Sequence, residues 1–141
     1  MTKTPHVWLI SGVPGAGKTT VSRLLAAQLG RGIHIEGDRI QEWIRSGAVW
    51  PGEEPEDEAE RQIQLNVRNQ CLLARSYCES GFTPVLDYVV STRVRLREYV
   101  TLLLPLSIGL SCLLLTPPLR WPAIVIVRRR PLPNSGSGSQ T

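Results

Sequence analysis

Short apolar runs alternate with helical patterns along most of the chain. The first run, His6–Ser11, has the length and the continuous apolar character of a buried strand in a parallel sheet. From Thr19 to Leu29 the apolar residues recur every three or four positions, which predicts a helix, and Gly30 suits the end of that helix.

The same alternation continues as far as Leu115. The further predicted elements are a strand at Ile33–Ile35, a helix at Arg39–Ser46, a long helix ending at about Ser80, a strand at Pro84–Val90, a helix at Thr92–Leu104 and a strand at Ile108–Leu115. This order predicts an α/β fold in which a parallel sheet, with four strands visible, carries helices on both faces. The acidic segment Glu53–Glu60 begins the long helix. Its carboxylates either complement the helix dipole, which we favour, or form a cation site.

Beyond Thr116 the alternation stops and no fifth strand or closing helix is visible. Residues 120–130 contain an apolar patch, Ala123–Val127, followed by three arginines, and could be the remnant of a lid. Residues 131–141 are rich in Pro, Gly and Ser, so we expect them to be disordered. The predicted organisation is therefore a core over residues 1–119, this lid segment and a tail.

The length of 141 residues is that of one domain that can bury its own core. The cysteines, Cys71, Cys78 and Cys112, are odd in number and form no C-x-x-C pair, which favours reduced core thiols over a disulfide or a metal site. Met1–Pro5 lacks the features of a signal peptide. Together these observations predict a cytoplasmic protein.

An uncharged, leucine-rich stretch from Tyr99 to Leu119 is long enough to span a bilayer. Prolines and Gly109 interrupt it, so a helix end, a turn and a buried strand explain it better. We therefore expect no membrane association.

The formal charge of +4 is unevenly distributed. Residues 1–91 hold nine Lys and Arg against eleven Asp and Glu, whereas residues 92–141 hold seven Arg against one Glu. Arginine clusters bind nucleic acid or grip a phosphoryl group, and charge alone does not decide between the two.

The clearest chemical signal is a complete match to the phosphate-binding pattern G-x-x-x-x-G-K-[ST] between the first strand and the first helix. The residues that we expect to bind the phosphates of ATP are Gly12, Val13, Pro14, Gly15, Ala16, Gly17, Lys18, Thr19 and Thr20. Glycines let backbone N–H groups turn towards phosphate oxygens, and the helix N-terminus adds its positive dipole. Lys18 would contact the β- and γ-phosphates, and the Thr19 hydroxyl would bind Mg²⁺.

Two of the three aspartates lie where ligands bind in parallel α/β sheets: Asp38 follows the second predicted strand, and Asp87 lies within the third, at the end of an apolar run. Asp38 could accept a proton from an acceptor hydroxyl or hold magnesium through water, although it could also simply cap a helix. Asp87 ends an apolar strand, where a buried charge needs a partner, so it is a candidate magnesium ligand. The alternative is a structural carboxylate.

Other candidates carry less weight. Arginine forks suit phosphate oxygens, but several of these residues could form a solvated helix face; the candidates are Arg93, Arg95, Arg97 and Arg128–Arg130. Trp43 and Trp50 could flank an acceptor, although core packing or loop anchoring is the simpler interpretation. His6 and His34 stand too far apart in the sequence to argue for a metal site.

At this point the chain resembles the small P-loop kinases, a group that contains shikimate kinase, gluconate kinase and chloramphenicol phosphotransferase. It is most similar to the branch described as AAA-type ATPase domain or chloramphenicol phosphotransferase-like. The resemblance spans residues 6–104 and rests on Ile10–Thr20, Ile35–Asp38, Ser46–Gly52 and Val85–Asp87.

The resemblance implies a three-layer P-loop NTPase fold with a five-stranded parallel sheet. It also implies ATP with magnesium and phosphoryl transfer to a hydroxyl, with Asp38 as the base. The C-terminal third departs from the family, whose members carry a lid helix with spaced arginines and a final strand and helix. We hypothesise a frameshifted or truncated ending, which resequencing of the coding locus would disprove if the alternative frame encodes no lid-like arginine helix.

The leading functional hypothesis is an ATP-dependent kinase of a small hydroxylated molecule. Two alternatives remain open. One is a kinase of nucleic-acid ends or nucleotide sugars, which the basic last third slightly favours. The other is a truncated protein that binds nucleotide without turnover.

Overall fold

The structure is a computed structural model that describes residues 5–12, 15 and 17–113, together with the backbone of residues 124–127. Its elements, in chain order, are β1 (Val7–Gly12), α1 (Lys18–Gln28), β2 (Gly32–Glu36), α2 (Gly37–Glu42), α3 (Glu56–Glu79), β3 (Thr83–Asp87), α4 (Arg93–Leu103), β4 (Ile108–Leu113) and β5 (Ile124–Val127).

The strands form one sheet in the order β2-β3-β1-β4-β5. The first four strands run parallel, so the predicted α/β fold with a four-stranded parallel sheet is confirmed. In the register of the sheet, Ile10 lies opposite Asp87, and Glu36 lies opposite Asp87 on the other side. The carboxyl ends of β1, β2 and β3 therefore meet at one edge of the sheet.

A fifth strand is present where the sequence indicated none. Strand β5 pairs with β4 in the antiparallel direction, and Ile108 lies opposite Val127. It coincides with the apolar patch inside the segment that we expected to be a lid remnant. The rest of that segment, with Arg128–Arg130, and the expected tail at 131–141 lie outside the described residues.

Both faces of the sheet are covered, which explains why β1 and β3 are almost continuously apolar. On one face Leu9 and Leu86 pack with Val67, Tyr99 and Leu103 of α3 and α4, all of which are fully buried. On the other face Ile10 and Val85 pack with Ala26 of α1. Each large apolar side chain buried in this way contributes about 1.5–3 kcal/mol.

The helix starts differ in detail from those predicted. Asp38 does not cap α2, because Glu36 occupies the cap position and Asp38 lies within the first turn. Helix α3 begins at Glu56, and its first turn carries three acidic residues, as the dipole interpretation expects. Among the described residues, no group of three or more His, Cys, Asp or Glu side chains could hold a metal ion by itself.

The described part of the uncharged, leucine-rich stretch, residues 99–113, divides into the end of α4, a turn and strand β4. None of the described helices has the length and the apolar composition that a membrane span requires. The three cysteines are free thiols, but only Cys71 is a core residue; Cys78 is half-buried and Cys112 is exposed. Burial raises the pKa of Cys71 to about 12.

Candidate functional site

A crevice of about 410 Å³ lies at the carboxyl ends of β1, β2 and β3. Its walls come from the turn after β1, the start of α1, the start of α2 and the end of β3. The lining residues are Gly15, Gly17, Lys18, Thr19, Thr20, Glu36, Asp38, Asp87, Tyr88 and Val89. The fold therefore brings together both candidate aspartates and the described lysine, although they are up to 69 positions apart in the sequence (from Lys18 to Asp87).

The turn after β1 needs glycine at defined positions. Gly15 and Gly17 have φ angles of 82° and 89°, in the left-handed region that residues with a side chain rarely adopt. At Gly12, a Cβ atom would lie 2.9 Å from Leu113 Cβ on the neighbouring strand. Val13, Pro14 and Ala16, which we also expect to bind phosphate, lie outside the described residues.

Helix α1 begins directly at Lys18 and places Lys18, Thr19 and Thr20 against the crevice. Its first turn contains no acidic residue, so no side chain of that turn offsets the positive end of the helix dipole. Free backbone N–H groups at such a helix start bind phosphate oxygens. The start of α1 thus combines a dipole, a lysine and two hydroxyls at one wall of the crevice.

Asp38 lies across the crevice, in the first turn of α2. Partial burial raises the pKa of its carboxyl group, and the nearby Asp87 charge raises it further. The positive charge of Lys18 acts in the opposite direction. A carboxylate with a raised pKa accepts a proton more readily than an ordinary aspartate, which suits a general base.

A buried relay of hydrogen bonds fixes the backbone just before Asp38. Asn66 Nδ2 donates to the Gly37 carbonyl (2.8 Å), and Gln70 Nε2 donates to Asn66 Oδ1 (2.8 Å). Tyr99 OH then donates to Gln70 Oε1 (2.6 Å). The sequence patterns did not predict this relay. The available signal was a polar row at Gln62, Asn66 and Gln70, four residues apart, beside the apolar face of α3.

Asp87 is the last residue of β3 and is only 5% exposed. Its Oδ2 lies 3.1 Å from His34 Nε2, so the buried carboxylate has a hydrogen-bond donor. The sequence had shown His34 as isolated, but strand pairing brings it to Asp87. The Asp87 carboxylate and the Thr19 hydroxyl line the same crevice and offer oxygen ligands of the kind that Mg²⁺ prefers, so these two residues fit a magnesium ion that phosphate oxygens also bind.

The segment after β3 is anchored to the strand that leads into the glycine turn. Ser11 Oγ accepts a hydrogen bond from Val90 N (2.9 Å) and donates one to the Val90 carbonyl (3.2 Å). This anchor holds Tyr88 and Val89 against the crevice. Burial and the nearby Asp38 charge raise the pKa of Tyr88 to about 12, so its hydroxyl keeps its proton at neutral pH.

The arginine candidates that the structure describes, Arg93, Arg95 and Arg97, do not line the crevice, and neither do the two tryptophans. Arg95 joins α4 to α3 through Glu60 (2.6 Å) and also pairs with Glu98 of its own helix (2.7 Å), which gives it a structural role. Arg93 and Arg97 are exposed on α4. Trp43 is 65% exposed rather than a core residue. The backbone N–H of Trp50 donates a hydrogen bond to Glu53 Oε2 (2.9 Å) within its loop.

The model of the AAA domain family (AAA_18) matches residues 9–112, which is most of the chain. The chain belongs to this family. The match covers β1 to β4 and thus every described element that lines the crevice. The AAA domain therefore contains the crevice described above. No curated protein matches the chain.

Solved structures show the same fold. A mutant of the Mycobacterium tuberculosis APS kinase CysC superposes with a TM-score of 0.62 at 14% identity, covering 77% of this chain and 75% of that one. APE1195 superposes with a TM-score of 0.53 at 19% identity, covering 69% of this chain and 52% of the other. A structure of the Pnkp1/Rnl/Hen1 complex superposes with a TM-score of 0.51 at 14% identity, covering 84% of this chain and 38% of the other. These similarities place the AAA domain of this chain among the small P-loop kinases in fold.

Proposed function

We propose that this protein is an ATP-dependent phosphotransferase that moves the γ-phosphoryl group of ATP to a hydroxyl of a small molecule. The observation that carries the proposal is the crevice itself. It places the N-terminus of α1 with Lys18 on one side, and Asp38 and Asp87 at two neighbouring strand ends on the other. The positive end of the α1 dipole and the Lys18 ammonium group thus share a crevice of about 410 Å³ with the Asp38 and Asp87 carboxylates.

The phosphates of ATP would lie on the glycine turn and the start of α1. There, backbone N–H groups and Lys18 balance the charge that develops on the transferring group. When bound, magnesium neutralises charge on the phosphate oxygens, and Thr19 and Asp87 are the residues that would hold it.

Asp38 would act on the acceptor. Its carboxylate orients the acceptor hydroxyl and takes its proton as the oxygen attacks the γ-phosphorus. One phosphorus–oxygen bond forms to the acceptor, the bond to the β-phosphate oxygen breaks, and ADP leaves. Most of the catalysis in such a reaction is positioning and electrostatics, which rigid strand ends provide well.

A second candidate function is a kinase of nucleic-acid ends or of nucleotide sugars. Two observations favour it: the fold similarity to the Pnkp1/Rnl/Hen1 complex, and three exposed arginines, Arg68, Arg93 and Arg97, on α3 and α4. None of the three forms an ion pair within the described part of the chain. Oligonucleotide binding that weakens steeply with salt would support this candidate, whereas no binding at low salt would count against it.

The proposal is tested with labelled ATP and a broad panel of hydroxylated acceptors. We expect transfer by the wild type, and a loss of about 100-fold or more in Asp38→Asn with ATP affinity retained. Asp57→Asn is the matched control, because Asp57 is the third aspartate and lies exposed at the start of α3. Tight ATP binding without transfer to any acceptor would refute the kinase proposal and favour nucleotide binding without turnover.

A further inference from the structure

His34 contacts Asp87 but is not among the residues that line the crevice. Its side chain is 14% exposed, and it lies in a groove along the outer edge of β2 rather than among the residues that line the crevice. Its Nε2 atom is 3.1 Å from Asp87 Oδ2, while its Nδ1 atom is 3.8 Å from Glu36 Oε1.

The pairing of β2 with β3 produces this contact. In the register, His34 lies opposite Val85, and Glu36 lies opposite Asp87. His34 and Glu36 are two residues apart on β2, so their side chains share one face of the sheet, and Asp87 projects to the same face. The imidazole therefore reaches Asp87 diagonally, because Asp87 is paired with Glu36, two residues further along β2.

The chemistry of the contact fixes which group donates. An ionised carboxylate can only accept hydrogen bonds, so His34 Nε2 carries the hydrogen. This bond occupies Oδ2 of a carboxylate that is almost fully buried, and it leaves Oδ1 as the oxygen available to a ligand in the crevice. A carboxylate held by one oxygen has lost the freedom to rotate, which is what preorganises a ligand oxygen.

We propose that His34 is a positioning residue for the cation that accompanies ATP. It acts through Asp87, whose carboxylate it holds in the orientation that binds magnesium together with the nucleotide phosphates. The inference rests on the proposed role of Asp87. It adds a residue of β2 that does not itself line the crevice, and it explains why that strand carries a histidine among apolar neighbours.

The test compares the ATP affinity measured with Mg²⁺ and with EDTA, by titration calorimetry, so that no turnover is needed. We expect His34→Leu to lose about 10-fold of the affinity gain that magnesium gives, with the affinity in EDTA unchanged. His34→Gln should recover most of the loss, because the Gln amide nitrogen reaches nearly as far as Nε2. If His34→Leu does not fold, His34→Asn carries the same expectation, since Asn is polar but too short to reach Asp87.

Two controls separate the possible outcomes. His6→Leu removes the other histidine, which contacts Ser107 at the opposite end of β1, and should behave as the wild type. Asp87→Asn should lose at least as much of the magnesium effect as His34→Leu. If Asp87→Asn loses it and His34→Leu and His34→Asn keep it, the inference is overturned while the role of Asp87 stands. If Asp87→Asn keeps it as well, the magnesium part of the proposed function fails too.

Discussion

Proton transfer and stability place opposite demands on a single residue, Asp38. The first turn of α2 places its carboxylate in a crevice that already holds the charge of Asp87, and burial together with that charge raises its pKa. A group whose pKa is higher in the folded than in the unfolded state destabilises the fold when it is ionised. The property that suits Asp38 to proton transfer is thus one that costs stability.

This conflict predicts that Asp38→Asn stabilises the protein at neutral pH while it lowers the rate of transfer by about 100-fold or more. The destabilisation caused by the ionised Asp38 carboxylate is fully present above the pKa of the folded state. It disappears as the pH falls below the ordinary pKa of 3.8, which applies to the unfolded chain. We expect a gain of less than about 1 kcal/mol in the free energy of unfolding at pH 7, because solvent screens the carboxylate. The gain should vanish towards pH 3.

Urea unfolding of the wild type and of Asp38→Asn across this pH range measures the effect. Asp57→Asn again serves as the control, since Asp57 is exposed and does not line the crevice. A stability difference that is constant with pH, or that has the opposite sign, would show that the environment of Asp38 does not raise its pKa.

Among single residues, the sequence predicted those that belong to a local pattern. The lysine and threonine of the glycine turn and the two aspartates after strands fall into this group. His34, Asn66 and Tyr99 were missed because their partners are distant: the contact from Asn66 to Gly37 spans 29 positions, and that from His34 to Asp87 spans 53. Only strand register and helix packing create such contacts, and neither is visible in one sequence.

At the level of elements, the relay from Tyr99 to Gly37 joins three helices behind the site. It runs from α4 through α3 to the first residue of α2, so the position of Asp38 depends on how α3 and α4 pack. Gly37 has no room for a side chain, since a Cβ atom there would overlap the Tyr88 ring and lie 2.7 Å from Gln70 Nε2. The start of α2 is therefore held from both sides.

We predict that Tyr99→Phe weakens catalysis more than nucleotide binding. The change removes one hydroxyl and leaves Gln70 Oε1 buried without its donor, which should lower the free energy of unfolding by about 1–3 kcal/mol. Because the relay ends at Gly37, we expect kcat to fall several-fold while the ATP affinity stays within about two-fold. Steady-state kinetics with chemical denaturation measure both effects.

Tyr77→Phe is the matched control for this prediction. Tyr77 lies on α3, is half-buried and packs its ring edge-on against Phe82 with the centroids 5.9 Å apart. The same chemical change there should leave kcat unaltered. Equal losses of kcat in the two variants would show that the relay does not position Asp38.

The elements also show where sequence patterns stop being informative. Four strands and the helices between them were predicted because each is bounded by a turn signal and has a regular apolar period. Strand β5 was missed because it has only four residues and pairs in the opposite direction at a sheet edge. A short antiparallel edge strand carries little periodicity of its own.

For the whole molecule, the site exists only when the sheet has formed. Its walls come from the ends of three strands and from the helices that follow two of them. These strands lie in the sheet in the order β2-β3-β1, which differs from their order in the chain. An unfolded chain offers no comparable phosphate-binding surface, because backbone N–H groups must converge from one turn and one helix start. ATP should therefore bind the native state alone and stabilise it by mass action.

We predict that ATP with magnesium at about 100 times its dissociation constant stabilises the wild type by about 2.7 kcal/mol, which corresponds to a rise in Tm of roughly 5–10 °C. Lys18→Ala should lose most of this rise, because its charge faces the phosphates from the start of α1. Arg23→Ala, which removes an exposed cation from the same helix outside the crevice, should keep it. Thermal unfolding at several ATP concentrations measures all three proteins, and a full rise in Lys18→Ala would mean that the phosphates bind elsewhere on the molecule.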